Sequence, residues 1–400
     1  MSNTTQVIII GAGLAGSALA LALDARGIDV ALVERGQGEP LNGAEPPLAV
    51  TDFDARVSAI SPKSWRFLQT LMPDQLGQIR RQPYTEMTVW DAEGTGAVNF
   101  DAAQFAVPDL GSIIENRLLI QALTHQLAQS RVRVLRQREL VDLDVQVKQI
   151  EVTLSGDERW CAQLIIGADG ALSKVRDLMQ VPTREWSYEQ SAIIATIRTE
   201  QKHGNTARQW FLRTGPLAVL PLASPNSEFC SIVWSAHSAR TDHLMGLSDD
   251  AFCAELTAAS ESSLGQVQEV SQRQCVPLRQ RHAIDYGRSR CVLVADAAHT
   301  IHPLAGQGIN LGFADVAVLA AELARAWDGG QDLGSMTVLE RYQRRRKSEN
   351  LAAMAAMEGF VHLFDRPEPL VRWARNVGMT VFDRFQPLKQ AVARLAMGIA

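Results

Sequence analysis

The chain is short of several features that would each announce a class of protein. Its 400 residues include five cysteines, Cys161, Cys230, Cys253, Cys275 and Cys291. No two of them form a CxxC pair. That spacing builds neither a disulfide framework nor a thiolate metal site, and isolated reduced thiols suit a reducing cytoplasm. No apolar run reaches the roughly 18 residues that a membrane-spanning helix needs. The apolar run near the N-terminus is short and lacks a basic flank, so it does not read as a signal peptide. The net charge of −5 supplies no basic field for nucleic acid. There is no internal repeat, no low-complexity linker, no Ser-His-Asp array and no paired-carboxylate motif. The expected compartment is the cytoplasm, with peripheral attachment to the inner membrane left open.

What is present begins with a normal globular balance, 46% hydrophobic and 21% charged, which excludes a disordered chain. Four hundred residues are enough for two domains. Val7-Ile8-Ile9-Ile10 reads as a strand buried on both faces. It runs into Gly11-Ala12-Gly13-Leu14-Ala15-Gly16. A helix follows to Arg26, stopped by Gly27, and then a strand from Val30 to Val33 ending at Glu34. In such a unit one glycine permits the tight turn, one admits a pyrophosphate to the backbone, and one lets helix and strand pack closely. The helix start offers free N–H groups and a positive dipole end to phosphate. Glu34 stands 18 residues beyond Gly16, where a carboxylate can accept both ribose hydroxyls. Arg35, next to it, is grouped with the cofactor contacts.

A second signature lies almost 300 residues further on. The buried run Cys291 to Ala295 delivers Asp296-Ala297-Ala298-His299. Pro303, Gly306, Gly308 and Asn310 follow, with a helix from Asn310 to Trp327. Asp296 can bond the ribityl chain of a flavin, and the small residues let backbone lie beside an isoalloxazine ring. Free N–H groups at the Asn310 helix can stabilise negative charge near flavin N1. Together the two signatures point to FAD held along its length. Read alone, Asp296 is also compatible with a simple helix cap. His299 and His302 have an i, i+3 spacing, but no acidic or cysteine partner clusters with them, so no metal is expected.

Between these ends, Leu164-Ile165-Ile166 reads as a buried strand entering Gly167-Ala168-Asp169-Gly170. Asn116 to Gln129 has helical spacing. Arg117 at its start faces either phosphate or solvent. The texture changes between Ser191 and Trp234, where Ala192 to Arg198, Leu217 to Leu222 and Phe229 to Trp234 look like strands of a separate sheet. From Phe360 to Ala400 apolar and basic residues alternate. Such an amphipathic basic segment lies on a membrane, on a partner, or on the body of its own protein.

Three motifs in order, the Gly11–Gly16 turn, Gly167 to Arg176, and Asp296 to His299, resemble the class A flavoprotein aromatic hydroxylases of the p-hydroxybenzoate hydroxylase type. Asp54 to Ile60, Asp296 to Gly312, Ala195 to Glu200 and Ser231 to Ser235 are similar to the ubiquinone-biosynthesis hydroxylases within that family. The likeness covers nearly the whole chain, and its texture is nearest to members that place the C5 hydroxyl. One departure is Ala295, where the family usually has Gly.

The resemblance implies an α/β fold with an α+β insertion. A discontinuous Rossmann-like FAD-binding domain would take residues 1–75, 100–185 and 285–345. A β-rich substrate domain would take 76–99 and 186–284, and a C-terminal helical region 346–400. The implied reaction is hydroxylation of a polyprenylphenol through a flavin C4a-hydroperoxide, with NAD(P)H as electron donor and O₂ as co-substrate. Ring positions C6 and C1, and a non-oxygenating FAD oxidoreductase, stay open. Asp169 and Arg176 would be polar anchors of the middle motif, and Arg56 would pass beside the flavin. No catalytic base is named; Tyr188 and His203 carry no mark. The apolar strand Leu217 to Leu222 and Trp210, Phe211, Phe229 and Trp234 either line a prenyl pocket or form ordinary sheet core. A ubiquinone-biosynthesis protein complex and a membrane surface are the further partners to consider.

Overall fold

The computed structural model describes residues 3–38, 47–301, 307–366 and 368–398. The four apolar residues Val7–Ile10 are fully buried at the centre of a six-stranded sheet. Val30–Glu34 and Leu164–Gly167 flank them in parallel, and Arg133–Arg136 and Cys291–Leu293 extend the sheet in parallel on either side. Gly287–Arg288 closes one edge antiparallel. Strands buried on both faces require cover on both faces. Helices Leu14–Asp24, Asn116–Ala128 and Gln307–Asp328 belong to that cover, and their apolar residues share one core with the sheet.

Residues 140–162 form an antiparallel ladder, to which Asn3–Thr4 adds a parallel edge. A three-stranded sheet joins Val57–Ile60, Gly111–Glu115 and Gln82–Tyr84. The largest sheet has nine strands and takes in the three runs read from the 191–234 region. Its far edge is built from Glu86–Asp91 and Ala97–Asp101, and its near edge from His299–Thr300. That last pairing ties the large sheet directly to the turn carrying Asp296. The strands of the large sheet alternate. Trp210, Leu217, Val219, Ile232 and Trp234 pack into a second core with Phe252 and Leu256.

Three helices complete the chain: Met336–Asp365, Pro369–Arg384 and Gln386–Met397. Arg375 is buried and pairs with buried Asp91 at 2.7 Å, which fastens the second of these to the edge of the large sheet. No helix among the described residues is long and apolar enough to cross a membrane.

Candidate active site

The glycine turn is shaped by contacts that only glycine allows. Gly11 has φ +100°, and a Cβ there would stand 2.5 Å from the Ala168 carbonyl oxygen. A Cβ on Gly16 would stand 1.9 Å from the Gly11 oxygen. Gly13 differs, because a Cβ there meets nothing within 4 Å. It also caps the Leu14–Asp24 helix without any side-chain hydrogen bond. The open space and the free helix N–H groups lie together, as a pyrophosphate cradle requires. Glu34 is bound into the same turn. Its Oε2 accepts from Ala12 N at 2.9 Å and its Oε1 from Gly36 N at 2.8 Å. Each oxygen keeps a further lone pair for a ribose hydroxyl. Arg35 beside it is exposed.

Asp54 organises a second group. Its Oδ1 accepts from Arg56 N at 3.1 Å and its Oδ2 from Arg117 N at 3.1 Å, which brings the two arginines to one place. Buried Glu115 accepts from Asp54 N at 2.8 Å and pairs with Arg80. The Arg117 guanidinium is 3.7 Å from Glu115, and its Nε is buried without a hydrogen-bond partner among the described residues.

Asp169 is also half-used. Its Oδ2 accepts from Lys174 N at 2.7 Å and Val175 N at 3.2 Å, while its buried Oδ1 has no partner among the described residues. Buried Arg176 donates to Ala171 O at 2.9 Å and Ala297 O at 3.1 Å. The middle motif is thereby clamped to the third.

Asp296 sits on a single 3₁₀ turn, Ala295–Ala297. Its side chain is reachable by solvent but lies at the floor of a cleft. That enclosure raises its carboxyl above the ordinary range, against the pull of His299 and Arg56. Ala295, ahead of it, has φ +52°, a left-handed conformation that disfavours a Cβ. Glycine at this position would be unstrained, which explains the family preference. Beneath the turn, Asp315 accepts from Ala295 N at 3.1 Å, His299 Nε2 at 2.5 Å and Arg346 Nε at 2.7 Å. Asn310 reaches back to the Val57–Ile60 strand, donating to Ala59 O at 2.8 Å and accepting from Ser61 N at 2.9 Å. Gly308 has room beside Ile301. Pro303 and Gly306 lie outside the described residues.

A cavity of about 310 Å³ opens where Arg56, Val57 and Asn116 meet the large sheet. Its walls are apolar, with Tyr84, Arg208, Gln209 and Ser231 as polar points. Buried Ser231 Oγ has no partner among the described residues. Burial pushes the Tyr84 hydroxyl up to about 12, with Asp109 adding to it. Neither Tyr188 nor His203 lines this space. Tyr188 bonds Gln280, and His203 is a buried structural residue bonded to Leu222 O and Asn205 N. Of the aromatics considered for a tail pocket, Trp210, Trp234 and Phe229 face protein cores. Phe211 points the other way and lines a separate apolar cavity of about 690 Å³. Adjacent strand residues face opposite sides, so Trp210 and Phe211 cannot share a role.

Sequence reasoning missed Asp54 as an organiser, Glu115 beneath the arginines, and Asp315. Asp54 stood in a quoted motif, but nothing in spacing tells that its two oxygens serve Arg56 and Arg117.

A family profile described as an FAD binding domain matches residues 4–43 and 77–357. The 3-demethoxyubiquinol 3-hydroxylase of Escherichia coli K12 is 36% identical over 400 residues, covering 100% of both chains. A ubiquinone hydroxylase of Rhodospirillum rubrum is 35% identical over 99% of this chain and 90% of its own. The human mitochondrial ubiquinone biosynthesis monooxygenase is 31% identical over 98% of this chain and 92% of its own. Among solved structures, p-nitrophenol 4-monooxygenase of Pseudomonas putida superposes with a TM-score of 0.77 at 16% identity, covering 98% of this chain and 97% of its own. The probable FAD-dependent monooxygenase PqsL of Pseudomonas aeruginosa gives 0.76 at 18% identity, covering 94% of this chain and 100% of its own. At these identities the structures speak for the fold alone.

Proposed function

Since the chain belongs to the ubiquinone-biosynthesis hydroxylases, FAD-dependent monooxygenases of the class A type, we propose that it hydroxylates the aromatic ring of a polyprenylated phenol, at C5. FAD is its cofactor, and NAD(P)H and O₂ are typical co-reactants of the family. The observation that carries the substrate reading is the 310 Å³ cavity beside Arg56, which adjoins two further apolar cavities. A prenyl tail of many CH₂ groups, each worth about 0.8 kcal/mol on burial, suits such walls better than a small polar phenol does.

The residues present fit FAD. In our assignment Gly11, Gly13 and Gly16 with the helix N-terminus take the pyrophosphate, and Glu34 with Arg35 takes the adenosine ribose. Arg56 and Arg117 take phosphate or the ring edge, and the unused oxygen of Asp169 and the carboxylate of Asp296 take the sugar-alcohol chain. Gly308 and Asn310, with Pro303 and Gly306, take the ring. The open Cβ direction at Gly13 and the unsatisfied Asp169 Oδ1 support this placement. FAD when bound supplies the oxygen-activating chemistry. The chain supplies position and dryness: the apolar cavity excludes water, and Asn310 fixes the Val57–Ile60 strand against the Gln307–Asp328 helix. The cavity's polar points, Tyr84, Arg208 and Ser231, are the candidates for orienting the phenol hydroxyl.

The C5 assignment rests on motif texture. A second reading, the position named by the 36% identical E. coli relative, is favoured by that relative's full-length match. The deciding experiment is lipid quinone profiling in cells lacking this protein. A precursor without its C5 hydroxyl supports the proposal; a demethoxyubiquinol moves the assignment to the second position. Unchanged quinone content removes the pathway reading.

A further inference from the structure

Met87 lines three cavities at once: the 310 Å³ space by Arg56, one of about 200 Å³ beside Asn310, and the 690 Å³ space under the C-terminal helices. Tyr84 is shared by the first two, and Phe100 and Met357 by the last two. Apolar lining therefore runs without a break from Arg56 to the Pro369–Arg384 helix. The outer wall of this passage is partly in solvent. Phe360 is 50% and Leu370 80% exposed, and both line the outermost cavity.

The Pro369–Arg384 helix has two distinct faces. Its inner face is locked to the large sheet. Arg375 pairs with Asp91, Asn376 accepts from Gly96 N at 2.6 Å and donates to Asp91, and Phe382 meets Phe100 edge-on. Its outer face carries Leu370, Trp373, Val377 and Val381, spaced to fall on one side of a helix and all exposed. The apolar surface continues with Leu388 and Leu395 on the Gln386–Met397 helix. Water-soluble surfaces rarely leave such a row uncovered. Charge selects what covers it. Residues 360–400 hold six basic and three acidic side chains, in a chain whose net charge is −5. A positive rim around an apolar stripe with an exposed Trp fits an anionic lipid surface.

We propose that the outer face of these two helices docks on an anionic bilayer, and that the passage opens there, so that a prenyl tail moves from lipid to the Arg56 cavity past Met87 without entering water. The passage rests on the prenylated-substrate reading; the docking face does not. The test uses FAD-loaded full-length protein with vesicles of phosphatidylcholine, with and without phosphatidylglycerol. The wild type should co-sediment with the anionic vesicles and less with the neutral ones. Trp373→Gln combined with Val381→Gln should lower that partitioning at least tenfold, with unchanged flavin content and melting temperature as the folding control. The same variant should keep turnover of a detergent-solubilised prenylated phenol and lose turnover of one embedded in vesicles. Absent vesicle binding, or binding that the double variant leaves intact, overturns the docking. So does a wild-type dimer that the variant dissociates, since the face is then a contact between copies. If the wild type binds vesicles but turns over no prenylated phenol even in detergent, the substrate reading fails and the docking face stands.

Discussion

Asp315 and His299 form a fully buried pair, with His299 Nε2 2.5 Å from Asp315 Oδ2. The same carboxylate oxygen accepts the backbone N–H of Ala295, so one side chain grips both ends of the turn that presents Asp296. Arg346 and Asn350 hold its other oxygen. Burial alone would raise this carboxyl, but His299 and Arg346 outweigh it and keep it below the ordinary range. The turn's geometry is therefore set from underneath, by residues that leave the cleft free.

Removing the grip should be felt at the flavin and in stability. Asp315→Ala leaves Arg346 buried without its carboxylate, which typically costs about 3–5 kcal/mol. The expected result is a lower urea midpoint and protein purified with less yellow cofactor. The held-down carboxyl contributes stability above about pH 3.8, its unperturbed value, and loses it as pH falls further. The gap between wild type and variant should thus be full at neutral pH and narrow only in stronger acid. A constant gap down to acid unfolding would show that the ion pairs are not its source.

Two glycine substitutions separate fold from cofactor. Gly16→Ala places a methyl 1.9 Å from the Gly11 oxygen, so the protein should be destabilised whether or not FAD is present. Gly13→Val projects into open space. It should keep the melting behaviour of apoprotein and lose FAD. Full flavin occupancy in Gly13→Val would remove the pyrophosphate assignment.

Asp296→Ala should weaken FAD while leaving the large sheet intact, because its carboxylate lies in the cleft and Asp315, not Asp296, holds the turn. A charge-assisted hydrogen bond is worth about 1.5–3 kcal/mol, so the dissociation constant for FAD should rise by roughly tenfold or more. Glu34→Ala should lose FAD affinity and also loosen the turn, since Ala12 and Gly36 both donate to Glu34. Flavin fluorescence titration of the two apoproteins measures this. Wild-type affinity in both places the motifs on another ligand.

His203 supplies a pH signature away from the site. Its Nδ1 accepts from Asn205 N at 3.1 Å, so its Nε2 carries the proton toward Leu222 O. Burial pushes its pKa down to about 4, from 6.5 when unfolded. Its neutral form thus contributes stability that is full above 6.5 and is lost as pH falls from there toward 4. His203→Gln should flatten the decline of stability across that window, as followed by denaturation midpoints. An equally steep decline in the variant would assign the acid sensitivity to other groups; His282, also pushed down to about 4, is the next to test.

Much of this protein was legible in the order of its residues. A strand buried on both faces, a glycine turn and a helix form one local unit, and Val7 to Glu34 contains all of it. Its chemistry follows from backbone conformation, and Gly11 with φ +100° is a local requirement. The second signature at Asp296 was readable for the same reason. What the sequence left undecided is whatever depends on pairing across the chain. Trp210 and Phe211 are equal in hydrophobicity and adjacent, and only the packing of the large sheet sends one to the core and the other to a cavity. Likewise, Asp315, His299 and Arg346 share no motif. They meet because a helix, a sheet edge and a C-terminal helix pack at one point, where a buried carboxylate must find partners. The wall of the substrate cavity, drawn from several strands and from Arg56, exists only once those sheets come together.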